Sequence, residues 1–135
     1  MKIDHLAVWV TDLERTRQFY ERWFQARAGQ RYTNARTGFS SYFLGFEGGS
    51  RLELMQRPDV VKGREAGQPS LGYAHLAVEL PDPASVDRLT QRMREAGHAI
   101  VGEPRTTGDG YYESVVQDPD GHLLELVAAG GGRHG

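Results

Sequence analysis

The feature that most constrains this chain is an internal repeat. The tetrapeptide His-Leu-Ala-Val stands at His5–Val8 and again at His75–Val78, 70 positions later. The flanking segments, IDHLAVWVTD from Ile3 to Asp12 and YAHLAVELPD from Tyr73 to Asp82, align over their length. A second echo, Leu-Glu-Leu, lies at Leu52–Leu54 and Leu124–Leu126, offset by 72. One tetrapeptide match can be chance; two nearly co-registered matches make each half a copy of one supersecondary unit. The 135 residues amount to about one domain of chain.

Each half reads as the same series of elements. In the first, Lys2–Val10 alternates and is rich in Val, Leu, Ile and Trp, the pattern of a strand. Thr11-Asp12-Leu13-Glu14 has the form of a capping box, and the helix it opens runs to about Phe24, with Thr16, Tyr20, Trp23 and Phe24 on one face. Strands are expected near Ala26–Thr33, Phe39–Phe46 and Arg51–Gln56, the last two joined by the Glu47-Gly48-Gly49-Ser50 turn. In the second half, Gly72–Leu80 is a strand, and Asp82 followed by Pro83 caps a helix. Val86, Leu89, Met93 and Ala96 form that helix's apolar stripe, and Gly97 ends it. Strands near Ala99–Glu103, Tyr111–Gln117 and His122–Ala128 follow, with Asp118-Pro119-Asp120-Gly121 as the turn between the last two. The expected fold class is α+β: two βαβββ modules in a single domain over residues 1–128 (repeats 1–57 and 72–128, linker 58–71), with a flexible tail over 129–135.

Composition excludes several function classes. A 39% apolar and 25% charged chain is ordinary globular usage, and a net charge of −2 points to neither nucleic acid nor an anionic membrane as partner. With no cysteine there is no disulfide, thiolate metal site or Cys nucleophile. The N-terminus does not read as a signal peptide or membrane span, so a cytoplasmic location is expected. The arginines are scattered, as on a solvated surface. Gly108-Asp109-Gly110 reads as a flexible loop and not a phosphate cradle, because no helix follows it.

Strand alternation decides which residues share a face. His5 lies with Ile3, Ala7 and Trp9, opposite Leu6, Val8 and Val10; His75 lies with Tyr73, Ala77 and Glu79, opposite Leu76, Val78 and Leu80. Glu53 shares a face with Arg51, Met55 and Arg57, and Glu125 with Leu123 and Val127, each glutamate having leucines on the opposite face. A lone strand histidine is more often a structural hydrogen-bonder, and a lone glutamate among leucines usually just faces solvent. The repeat couples all four. Two imidazoles and two carboxylates at matching places point to a divalent metal held by His5, Glu53, His75 and Glu125, with Zn, Ni, Co, Mn and Fe all compatible. His98, His122 and His134 have no such symmetry and read as loop or tail residues.

On DHLAVWVTDLERTRQFYERWF, YAHLAVELPD and DPDGHLLELV, the chain resembles the vicinal oxygen chelate superfamily, particularly its glyoxalase I-like members, from about Met1 to Ala128. The resemblance implies paired βαβββ modules whose mixed sheets curl around a metal cleft, four ligand positions matching His5, Glu53, His75 and Glu125, and a homodimer. It also implies a small-molecule substrate that chelates the metal through adjacent oxygens, such as an α-hydroxy-ketone or thiohemiacetal. The metal would act as Lewis acid, and a glutamate would move a proton between neighbouring carbons. By position match Glu125 is the expected base and Glu53 a possible second proton carrier.

The fold also supports ring-cleaving dioxygenases and dimeric drug-binding proteins of the bleomycin-resistance type, which stand as alternatives. Four ligands including two glutamates look like glyoxalase I. At Trp9 and Arg57 glutathione-using relatives commonly carry Arg and Asn, so the substrate pocket is expected to differ here. Arg57 could clamp a carboxylate and Trp9 could cover an apolar group, with core filling the plain alternative for Trp9. The loops Arg31–Gly38 and Glu103–Gly110 are expected to rim the pocket.

Overall fold

Aliphatic residues on one side of each strand drive both halves to the same solution, a sheet with one face laid on a helix. The computed structural model describes residues 1–63 and 69–132, and the chain divides into two units, Met1–Gly63 and Arg64–Gly135. The first holds β1 (His5–Trp9), α1 (Leu13–Phe24), β2 (Arg27–Ala28), β3 (Tyr32–Asn34), β4 (Phe39–Gly45) and β5 (Arg51–Gln56). Its sheet has the order β1-β5-β4-β2, with β3 also paired to β4. The second unit holds β6 (His75–Leu80), α2 (Pro83–Glu95), β7 (Ile100–Thr106), β8 (Tyr112–Gln117) and β9 (Leu123–Ala128), in the order β6-β9-β8-β7. β1 runs parallel to β5 and β6 parallel to β9, while the other pairings are antiparallel. Both sheets are therefore mixed, and the fold class is α+β.

In the first unit α1 packs on β4 and β5, burying Leu13, Thr16, Phe19, Tyr20, Trp23 and Phe24 against Leu44, Leu52 and Leu54. In the second, α2 lies on β7, β8 and β9, and Val86, Thr90 and Met93 meet Val116, Leu124 and Leu126. Each aliphatic side chain so buried contributes roughly 1.5–3 kcal/mol, so the leucines on either side of each glutamate hold the strand register. Leu89 is only half-buried and Ala96 is exposed, so the stripe on α2 runs through Thr90 instead. Thr90 earns the place by donating to the Val86 carbonyl at 2.6 Å and sharing a hydrogen bond of 2.7 Å with Ser114.

Several sequence expectations are corrected by local chemistry. The cap of α1 is Asp12, whose Oδ1 accepts from the Arg15 N–H at 3.0 Å, and not Thr11. Glu14 does not reach back; it accepts from the Tyr42 hydroxyl at 2.7 Å and from Arg17 and Arg31 at 2.9 Å. Tyr42 and these arginines hold the Glu14 carboxyl below its ordinary value. The expected Ala26–Thr33 strand is two short pieces, β2 and β3. β7 runs on through Pro104 to Thr106, so Glu103–Thr106 is strand and not loop. A proline is tolerated because β7 is the edge of its sheet and its register shifts on both sides of Gly102. Tyr32–Asn34, inside the expected Arg31–Gly38 loop, likewise forms β3. Residues 64–68 of the expected linker, and 133–135 of the expected tail with His134, lie outside the described residues.

His122 is more than a loop residue. Its Nδ1 lies 2.8 Å from Asp118 Oδ2, while Asp118 Oδ1 accepts from the Asp120 and His122 N–H groups at 3.0 and 2.9 Å. The hydrogen bond to Asp118 raises the His122 pKa, against the opposing effect of burial and with the help of the Asp118 and Asp120 charges.

Two predictions follow from these contacts. Thr16 Oγ1 is buried with no hydrogen-bond partner, and Thr16 stands four residues after its capping aspartate, as the fully buried Val86 does after Asp82. Thr16→Val is expected to stabilise the fold by about 1 kcal/mol, since it removes an unsatisfied buried hydroxyl at nearly constant shape. Thermal unfolding reads this as a melting point a few degrees higher. For His122 the folded pKa lies above the unfolded one, so the pair's stabilisation is full below about pH 6.5 and is lost as pH rises through the folded value. Denaturant midpoints of wild type and His122→Ala, measured from about pH 5 to about pH 9, should converge at the alkaline end. A constant gap contradicts the pairing.

Candidate functional site

Register places the histidine and the glutamate of each half on one face, a rung apart. In the first unit Ala7 pairs with Glu53 and His5 with Arg51; in the second Ala77 pairs with Glu125 and His75 with Leu123. An alanine opposite each carboxylate leaves the neighbouring histidine room to lean over it. His5 Nε2 lies 3.6 Å from Glu53 Oε1, and His75 Nε2 lies 3.0 Å from Glu125 Oε1. Both histidines are exposed and both glutamates are half-buried, so each pair is open to solvent on its imidazole side.

The donor chemistry fits a cation. Two donors bonded to one ion at about 2.1 Å stand about 3.0–3.4 Å apart for right-angle to tetrahedral geometry. The observed separations of 3.6 and 3.0 Å are close to that spacing. His5 is also oriented from behind: its Nδ1 lies 2.7 Å from Asp4 Oδ2, an oxygen that accepts as well from Arg51 Nη2 at 2.8 Å. Together, His5 first and then Arg51, they lower the Asp4 pKa. Carboxylate support on one ring nitrogen leaves the other free for a metal, a common feature of metal-bound histidines. The edge of His5 meets Phe43 at 5.1 Å between ring centroids, and Arg51 lies over the same ring at 4.5 Å. Among the described residues no group of three or more His, Cys, Asp or Glu side chains is placed to hold an ion; each unit offers two donors.

Trp9 and Arg57 are brought together as well. The Arg57 guanidinium lies 5.3 Å from the Trp9 ring centre and also pairs with Asp59. Trp9 is 38% exposed, so it does not fill the core. Its ring meets Phe39 edge-on at 6.2 Å, and Phe39 in turn lies 6.1 Å from Tyr32. Phe39 and Tyr32 escaped the sequence reading because only strand register brings them here: β1–β5–β4 sets Phe39 near Trp9, and β3–β4 sets Tyr32 near Phe39.

Glu113 is the larger omission. It is buried, 6% exposed, on the same face of β8 as Val115, which pairs directly with Glu125. Burial raises the Glu113 pKa, and the neighbouring Glu125 carboxylate adds to the rise, while Arg105 and His75 act in the opposite sense. Alternation from Glu125 could have placed Glu113 on this face, but the repeat offers no echo of it: Ser41 occupies the corresponding rung.

With this geometry in view, the similarities to known proteins carry weight. A model of the Glyoxalase/Bleomycin resistance protein/Dioxygenase superfamily matches residues 2–126. Uncharacterized protein YqjT of Bacillus subtilis (strain 168) is 29% identical over 128 residues, spanning 92% of this chain and 96% of that protein. Lactoylglutathione lyase GLX1 of Arabidopsis thaliana is 28% identical over 127 residues; the match takes in 93% of this chain but only 44% of that lyase. The crystal structure of a glyoxylase/bleomycin resistance protein/dioxygenase domain from Frankia sp. EAN1pec aligns with a TM-score of 0.78 at 21% identity, over 98% of both chains. That last likeness is one of fold. Among the described residues no helix is long and apolar enough to cross a membrane.

Proposed function

The chain belongs to the Glyoxalase/Bleomycin resistance protein/Dioxygenase superfamily, and from that premise we propose that it is a divalent-metal-dependent lyase or isomerase of the glyoxalase I type. Its substrate is a small molecule that presents adjacent oxygens to the metal. His5 and Glu53 from one repeat, with His75 and Glu125 from the other, make up the four-donor set. The observation that carries this reading is the recurrence of one His–Glu pair, at metal-ligand spacing, in both halves. Two imidazole and two carboxylate donors suit Ni, Zn, Co, Mn or Fe.

Once bound, the cation supplies Lewis-acid stabilisation of negative charge developing on the substrate oxygens. The chain's own residues do the rest. Glu125 takes the proton from the substrate C–H and returns it to the neighbouring carbon, and Glu53 serves as a second proton carrier. Trp9, backed by Phe39, covers an apolar part of the substrate, and Arg57 faces an anionic group. Their aromatic and cationic character supports a substrate other than, or additional to, a glutathione adduct. The chain acts as a homodimer.

The test joins metal content to turnover. Protein purified without chelator, or reconstituted from the metal-free state with Ni²⁺, Co²⁺ or Zn²⁺, should hold about one ion per chain by elemental analysis, as one four-donor set requires. It should isomerise hemithioacetals of methylglyoxal with small thiols. His75→Gln should lose most of the metal, and Glu125→Gln should lower turnover about 10²–10⁴-fold. A chain that retains none of these ions overturns the reading.

A further inference from the structure

We propose that the substrate carries an aromatic ring bearing a carboxylate, with the ring on a shelf of Trp9, Phe39 and Tyr32 and the acid against Arg57. The inference rests on the reading above for the end that presents adjacent oxygens, and it names the chemistry of the other end. It also adds Tyr32 and Phe39 to the residues that set specificity.

Strand register builds the shelf. Trp9 pairs with Met55, Met55 with Ser41 and Ser41 with Tyr32, so one row crosses β1, β5, β4 and β3. Phe39 stands two residues before Ser41 on β4 and so on the same face. The rings are set at angles to one another, Trp9 to Phe39 at 88° and Phe39 to Tyr32 at 56°. A further ring entering such a corner can stack on one member while it meets the edge of another, and both arrangements are favoured. Trp9 and Tyr32 remain open to solvent, Tyr32 at 55% exposure. A contiguous exposed apolar patch marks a binding surface, whereas scattered single residues do not.

Charge selects the occupant. The Arg57 guanidinium lies 5.3 Å from the Trp9 ring centre, and its Nε donates to Asp59 at 2.5 Å. Asp59 thereby steadies the planar fork, which has further N–H groups to give a carboxylate. A cation held over aromatic rings fits an aryl acid better than it fits a neutral apolar chain. The place on the sheet fits as well. Trp9 and Met55 stand two residues beyond Ala7 and Glu53, about 7 Å along the strands, so a ring attached directly to the chelating oxygens reaches the shelf. The same row of the second unit reads Glu79, Val127, Glu113 and Arg105, with no aromatic ring and with Glu79 and Glu113 to repel an acid.

The test is ligand binding, read by calorimetry and by the emission of Trp9, the exposed one of the two tryptophans. The probe 4-(hydroxyacetyl)benzoate has adjacent oxygens, ring and acid; 2-hydroxyacetophenone lacks the acid; hydroxyacetone lacks ring and acid; 4-propylbenzoate lacks the oxygens. On Co²⁺-loaded protein, 4-(hydroxyacetyl)benzoate is expected to bind about 10-fold or more tightly than 2-hydroxyacetophenone, the worth of one charge-assisted pair. That ketone should bind about 3–10-fold more tightly than hydroxyacetone, the worth of an aromatic contact. Arg57→Gln should remove the first preference and Tyr32→Leu should reduce the second, with circular dichroism checking that each variant is folded. Hydroxyacetone binding as tight as that of 4-(hydroxyacetyl)benzoate overturns the inference, as does an Arg57→Gln variant that keeps the wild-type preference. Trp9 emission that responds to protein concentration but to none of the probes also overturns it, because a second copy of the chain then covers the shelf. Removing the ion separates the two readings: 4-(hydroxyacetyl)benzoate should fall to the affinity of 4-propylbenzoate, whose binding still depends on Arg57. If removal changes nothing while that dependence stands, the metal reading fails and the shelf remains.

Discussion

The parallel pairing of a histidine strand with a Leu-Glu-Leu strand is the interaction on which both halves depend. In the first unit Leu6 and Val8 pair with Leu52 and Leu54; in the second, Leu76 and Val78 pair with Leu124 and Leu126. These aliphatic rungs face the helix, and Leu54 and Leu126 are fully buried there. A slip of one residue would exchange every face, driving Glu53 or Glu125 into the helix-facing layer and the leucines into water. A carboxylate in that layer would cost several kcal/mol. Hydrophobic burial on one side of the sheet thus fixes where the polar donors stand on the other.

Beyond the shared pair, the repeats have diverged in the next row of the sheet. Across the first unit that row reads Trp9, Met55, Ser41, Tyr32; across the second it reads Glu79, Val127, Glu113, Arg105. One half has built an aromatic surface beside its His–Glu pair, reinforced by Phe39 and overlaid by Arg57. The other has built a line of charged and hydrogen-bonding groups. On the inner strands the rungs correspond, so the difference there lies in side-chain chemistry; at the outer edge the shifted register of β7 adds a difference of backbone.

What could be read from the residues follows from which forces act locally. The two helices and the faces of β1, β5, β6 and β9 follow from alternation and the repeat, because burial of leucine outweighs other effects there. Element ends were harder. Thr11 and Asp12 are both good caps, and the backbone entry into α1 selects Asp12, whose carboxylate reaches the Arg15 N–H. The strand expected to end at Glu103 runs on through Pro104, because an edge position with shifted register removes the need for the missing proline N–H. Gly29, whose N–H donates to the Phe43 carbonyl at 3.0 Å, lies between the two pieces of a segment read as one strand. Glu113 and Phe39 stayed hidden for a different reason: each stands out only through its cross-strand neighbours, and Ser41, at the rung that matches Glu113, gives no echo of it.

The asymmetry bears on the proposal that Glu125 is the proton-moving glutamate. A base must keep its orientation while its other contacts change, so contacts made by the protein alone decide how well it is held. Glu125 has an imidazole at 3.0 Å and shares its face with the buried Glu113; Glu53 has a more distant imidazole, and its direct cross-strand neighbour is Phe43. The clustering of two carboxyl groups and an imidazole on a half-buried face carries a desolvation cost that the leucine layer beneath it offsets.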